Sequence, residues 1–148
     1  MDMREVGQSL MVAFETVPDP RSRYGRRHPL GAILALSVCA MLSGAKSLYA
    51  IAQWGRLQDA DTVKALGFTQ DKTPAVSSLH ELFKRLNVEV FEEAIAEWSQ
   101  SYVGSEEAIA IDGKALRGIH GEELPGVQLV AAYAHSLDIV LGQKGGKG

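Results

Sequence analysis

The chemistry-bearing residues fall in three places, the first built on one carboxylate. In Ala108-Ile109-Ala110-Ile111-Asp112-Gly113-Lys114-Ala115-Leu116-Arg117-Gly118, four apolar residues run into an acid, and a glycine then turns the backbone beside two cations. A continuous apolar run with β-branched residues reads as a buried strand, although so short a run is also compatible with a helix. Asp112 at the end of such a strand is held rigidly with one side open to a metal ion or a substrate. The alternative is an Asp-Gly turn in which Asp112 bonds its own backbone. The second place is Arg21-Ser22-Arg23-Tyr24-Gly25-Arg26-Arg27-His28, four arginines and a histidine around one tyrosine. Guanidinium forks fit phosphate oxygens and a tyrosine can stack, so Arg21, Arg23, Arg26 and Arg27 suit a phosphate clamp. An ordinary solvated charge cluster has the same composition. The third is the pair Lys84 and Arg85, on the polar side of a helical stripe that also carries Ser77, Ser78, His80 and Glu81.

Composition limits what these residues can serve. The chain has 148 residues, 46% of them apolar, enough for one domain or two small ones. Net charge is −3, so no overall field draws nucleic acid, and DNA binding must rest on local patches. The charge is uneven: residues 1–60 hold seven Lys/Arg against five Asp/Glu, and residues 61–148 hold eight against thirteen. The single cysteine, Cys39, excludes an internal disulfide and lies in an apolar stretch, which fits a reducing cytoplasm. No basic n-region with a cleavage site opens the chain. Residues 30–45 are apolar but short of the roughly 20 needed to span a bilayer, so a buried helix is expected and no membrane partner.

The elements that must position these groups are mostly helical. Val6, Leu10, Ala13, Phe14 and Val17 form one face of a helix that Pro18 and Pro20 end. Pro29 is placed to open a helix reaching Ser43, apolar almost all round and therefore central. Ser47 caps a helix whose buried face is Leu48, Ile51, Ala52 and Gly55, with Trp54 on its flank. A short helix over 61–66 closes at Gly67. Val76, Leu79, Leu82, Phe83 and Leu86 stripe the helix bearing Lys84 and Arg85. This short helix, turn and second helix fit a helix-turn-helix, and equally any helical hairpin. Phe91, Ile95, Trp98 and Tyr102 stripe one more helix, with Glu92, Glu93 and Glu97 outside. After the Asp112 segment, residues 127–134 and 139–141 read as two further strands. His120, Glu122 and Glu123 lie in a Gly/Pro turn, a poor preformed metal site.

The segment Ile111-Asp112-Gly113-Lys114-Ala115-Leu116-Arg117-Gly118 resembles the Ile-Asp-Gly-Lys-x-Leu-Arg-Gly signature of H-repeat-associated insertion-sequence transposases. Pro18-Asp19-Pro20-Arg21, Arg27-His28-Pro29-Leu30, Leu129-Val130 and Val140-Leu141-Gly142-Gln143 extend the likeness along nearly the whole chain, in the family's order. The family's Pro-Ser-x-x-Thr-Phe-x-Arg is met only loosely by Pro74, Ala75, Ser78, Leu79 and Glu81. The resemblance implies a bacterial, cytoplasmic transposase of the DDE type, whose core folds like RNase H and cuts and joins DNA at element ends. It makes Asp112 the first of three acids that hold Mg²⁺; Lys114 and Arg117, the two cations beside it, are candidate DNA contacts. It also implies that the second Asp and the Glu would follow Gln143, where this chain has only a Gly/Lys tail.

The fold expected from these readings is α+β. Residues 1–104 form an N-terminal helical domain for DNA binding or assembly, and residues 105–143 the first three antiparallel strands of a truncated RNase H-like core. Residues 144–148 form a disordered tail. The expected function is that of the N-terminal part of a transposase, inactive alone because one acid binds magnesium weakly. Glu106 and Glu107 stand roughly 17 Å from Asp112 along the same strand. A non-catalytic regulatory protein that binds DNA, itself or full-length transposase is the alternative, and a relic of a decayed element is another. An unpaired sheet edge at residues 108–111 and apolar area at 127–134 predict self-association.

Overall fold

The computed structural model describes residues 3–21, 28–103, 124, 126–128, 130–132 and 134–135. Among the described residues, the helices in order are α1 (Met3–Ala13), α2 (Leu30–Leu42), α3 (Leu48–Arg56), α4 (Ala60–Ala65), α5 (Val76–Arg85) and α6 (Val88–Val103), with further helical residues after 125. A 3-10 turn, Phe14–Thr16, prolongs α1 until Pro18 ends it. The centre is α2, in which eleven of thirteen residues are buried. It has no charged residue, and its alanines let neighbouring backbones approach from every side. Its one buried hydroxyl, Ser37, donates to the Ile33 carbonyl at 2.9 Å and so leaves no orphan polar group. Burial without a partner charge pushes the Cys39 thiol up to about 12, so this cysteine behaves as a small hydrophobe.

The other helices are arranged about this axis. α1 packs against α2, α4 and α6, and α3 lies between α2 and α5. The edge-on contact of Phe14 with Phe91, 5.3 Å between ring centroids, closes α1 onto α6. The Trp98 indole N–H strengthens that closure by donating to Ser9 Oγ at 2.8 Å. Gly67, at φ +109°, ends α4 in the left-handed conformation that glycine tolerates best. Pro29 is the residue before α2 rather than its first residue, one position earlier than its sequence role predicts.

Caps set the helix starts. Ser47 accepts the Ala50 N–H at 3.0 Å for α3, and Asp59 accepts the Thr62 N–H at 2.8 Å for α4. Those backbone and side-chain hydrogen bonds from Thr62 hold the Asp59 carboxyl below the usual carboxylate range. Helix α5 differs, because its N-cap is Ala75, in extended conformation and with no side-chain acceptor. Ala75→Ser is therefore expected to stabilise the chain by about 1 kcal/mol, raising the melting temperature by roughly 2–4 °C. Thermal denaturation followed by circular dichroism checks this; no rise would mean the first turn of α5 finds its acceptors elsewhere.

The expected α+β architecture is overturned, for among the described residues there is no strand. Residues 126–128, 130–132 and 134–135, which span the expected second strand at 127–134, are helical. The Gln128 N–H bonds the Leu124 carbonyl at 3.1 Å, a helical i to i−4 bond. The reason is visible in the pattern: Val127, Val130, Ala131 and Ala134 recur at i, i+3, i+4 and i+7, and alanine favours helix over strand. All four join the core with residues of α1 to α6. A Cβ on Gly126 would stand 3.0 Å from Phe83 Cδ1 and 3.4 Å from Leu86 Cδ2, so this segment docks closely where α5 ends. The apolar area expected to lie open at 127–134 is thus covered, with Val127 and Val130 fully buried. The other two expected strands, 108–111 and 139–141, and the tail 144–148 lie outside the described residues.

Candidate nucleic-acid interface

Two parts of the predicted DNA-binding set are visible, and they occupy different places. Arg21 is turned into the chain. Its guanidinium grips Asp19 with two parallel bonds, Nε to Oδ1 at 2.9 Å and Nη2 to Oδ2 at 2.8 Å. Nη2 also donates to the His28 carbonyl at 2.7 Å, and the Arg21 N–H to Asp19 Oδ1 at 3.0 Å. With both side chains largely buried, this bidentate pair fixes geometry more than it offers charge to a ligand. His28 is itself buried, edge-on to Phe68 at 5.5 Å. Arg21 therefore ties together the two ends of the segment that holds Arg23, Arg26 and Arg27. Those three residues lie outside the described residues, as do Asp112, Lys114 and Arg117.

Lys84 and Arg85 are exposed in the last turn of α5. That position also complements the negative end of the helix dipole, a structural role available to any terminal cation. Ser77, Ser78, His80 and Glu81 are exposed on the same helix, as its polar stripe predicts. The hairpin partner is different from expectation: α5 packs on α3, and α4 on α1. The connector between α4 and α5 instead runs along α3, where Thr73 Oγ1 would stand 3.0 Å from a Cβ on Gly55. That crossing forms a groove of about 370 Å³ flanked by Arg56, Lys72 and Asp71.

A second groove, about 480 Å³, runs between α1 and α6, with Val12 and Trp98 among its walls and Glu97 at its rim. Among the described residues no group of three His, Cys, Asp or Glu side chains is placed to hold a metal ion, so no step is assigned to one. No described helix is long and apolar enough to cross a membrane. The side missed by reading only apolar stripes is the outer face of α3, where Tyr49, Gln53 and Arg56 recur at i, i+4 and i+7 and are all exposed. A search for polar stripes free of acids would have found it.

Among the described residues, five helices accompany the uncharged, buried α2, and cations lie exposed on α3 and α5. The family described as DDE_Tnp_1-associated matches residues 11–99, from α1 into α6. The chain belongs to the H-repeat-associated transposases, in their N-terminal, DDE_Tnp_1-associated region. Among its relatives is "Putative transposase YncI" of Escherichia coli strain K12, 31% identical over 92% of this chain and 56% of that protein. The protein of the same name from Escherichia coli O157:H7 is 30% identical over 92% of this chain and 36% of that protein. "H repeat-associated putative transposase YhhI" of strain K12 is 26% identical over 92% and 37%. The chain spans about half the length, or less, of these curated relatives. No solved structure matches it.

Proposed function

We propose that this chain is a DNA-associating, non-catalytic part of a DDE-type transposition system. The observation that supports it is that the family match, residues 11–99, falls on the helical array and not on the segment around Asp112. Transposition acts on DNA, and the relatives carry transposase in their names. DNA is thus the partner class, and a second copy or a longer transposase is a candidate protein partner. The signature around Asp112 would make it a ligand to Mg²⁺, which supplies charge stabilisation in phosphoryl chemistry when three acids hold it.

The test is a mobility-shift and cleavage assay on duplex DNA taken from the flanks of the gene, with and without Mg²⁺. Retarded DNA without Mg²⁺-dependent cutting or joining is expected, and Asp112→Ala should leave both results unchanged. Cleavage abolished by Asp112→Ala would overturn the non-catalytic reading. Absence of retardation at low salt would overturn the DNA reading.

A further inference from the structure

We infer that the outer face of α3, carrying Tyr49, Gln53 and Arg56 with Lys46 just ahead of its cap, is the surface that seats against duplex DNA. This rests on the reading of the chain as a DNA-associating part of a transposition system, and names where the contact is made. The three helical residues fall at i, i+4 and i+7, so they share one side of the helix. Leu48, Ile51, Ala52 and Gly55 occupy the opposite side and are buried. Helices α2 and α5 pack against α3. The outer face is therefore presented on a rigid support rather than on a loop.

Charge selects the partner. The sequence of α3 contains no acid, and Lys46 and Arg56 bracket it with two cations. Each of the other exposed helices carries acids: Glu5 on α1, Asp61 on α4, Glu81 on α5, and Glu89, Glu92, Glu93 and Glu97 on α6. Only α2 shares the lack, and it is buried. In a chain of net charge −3, α3 itself adds no repulsion toward a polyanion, and the acid nearest it along the chain is Asp59, three residues past Arg56. Asp71 and Lys72 line the same groove as Arg56, and their charges offset one another.

The side chains themselves suit a duplex. Among the described residues, the side chains of Lys46, Tyr49, Gln53 and Arg56 have no hydrogen-bond or ion-pair partner. Lysine, arginine and tyrosine bond phosphate oxygens, and glutamine can pair with the N6 and N7 positions of adenine. Nine helical residues extend roughly 13 Å, about the width of the major groove. Tyr49 is 58% exposed and Leu57, the C-cap of α3, is 80% exposed; they are two of the four large apolar side chains left open among the described residues. Their exposure is unfavourable for a free surface and is relieved by contact with sugars and thymine methyls.

The full chain with a fluorescein-labelled 30-base-pair duplex tests this, by fluorescence anisotropy across a salt series. Lys46→Gln with Arg56→Gln should lower the slope of log K against log salt by about 1.8, two phosphate contacts at roughly 0.9 each. Arg4→Gln with Lys64→Gln, which removes the same charge from α1 and α4, should leave the slope unchanged. Circular dichroism melts confirm that both pairs fold. An unchanged slope in the α3 pair overturns the inference while leaving DNA binding intact. An equal fall in both pairs marks a diffuse charge effect and overturns it as well. A wild-type chain that binds no duplex at low salt overturns both the inference and the function it rests on, and would give this face to an acidic protein surface.

Discussion

Phe91→Ala is expected to destabilise the chain by about 3–5 kcal/mol, lowering the melting temperature by roughly 10 °C or more. Phe91 is completely buried, and its ring meets Phe14 edge-on at 5.3 Å. Truncation removes the transfer free energy of the ring and leaves a cavity that α1 and α6 can only partly close. It also removes the ring pair itself, worth about 0.5–1.5 kcal/mol beyond area. Since domains of this size have net stabilities of about 5–15 kcal/mol, the variant should be largely unfolded in mild urea. Equilibrium urea unfolding, with the denaturant slope held as a check on cooperativity, measures the loss. A cost below about 1 kcal/mol would mean that α6 does not close the core against α1.

Val130→Asp is expected to be comparably severe, and it tests whether the stretch after residue 126 belongs to the core. Val130 has no exposed surface and lies in the core with Val127, Ala131 and Ala134. A carboxylate there is left uncompensated or must take up a proton, at a cost of about 3–5 kcal/mol. His135→Asp is the control, because His135 is exposed, and it should change stability by no more than about 0.5 kcal/mol. In an open strand of alternating residues, Val130→Asp would face solvent or sheet depending on register and would cost far less if it faced out. Near-native stability of Val130→Asp would remove this segment from the core.

How far the sequence reveals this fold depends on the length and purity of each stripe. Val6 to Val17, the α2 run and the stripe from Leu79 to Leu86 extend over several turns; Pro18 closes the first, Gly44 the second, and Pro74 precedes the third, so period and boundary agree. Those elements appear where expected, within one or two residues. Residues 127–134 misled for two reasons. Two valines and a run of apolar residues fit a buried strand, and the resemblance supplied a sheet to receive them. The stripe at i, i+3, i+4 and i+7 was equally present, with three alanines to favour helix. Tertiary packing against Phe83 and Leu86 decided the matter, and such a contact between distant segments leaves no local mark.

The binding residues were legible as types and less so as roles. Arginine content alone put Arg21 in the same set as Arg23, Arg26 and Arg27. Yet Asp19 two residues earlier already offered a local carboxylate, and the structure uses it for a bidentate pair. Lys84 and Arg85 are exposed as read, although a helix end gives any cation a reason to be there. The outer face of α3 escaped notice because its helix is short and its apolar side accounts for most of its pattern. Asp112 owes its importance to a signature of eight residues, which carries identity without geometry.

The union of the first helix with the last sets a schedule for synthesis. Phe14 and Ser9 leave the ribosome early, whereas their partners Phe91 and Trp98 are made 77 and 89 residues later. At about 5–20 residues per second, the nascent chain waits roughly 4–18 s with one side of α1 unanswered, sheltered only by α2 and α4. A message broken anywhere before the codon for Phe91 therefore yields a polypeptide that cannot complete its core, exposes an aromatic face and is open to proteolysis. Only chains translated through residue 134, which adds Val127, Val130, Ala131 and Ala134 to the same core, escape that fate, so quality control by degradation would act on the reading frame on both sides of Asp112.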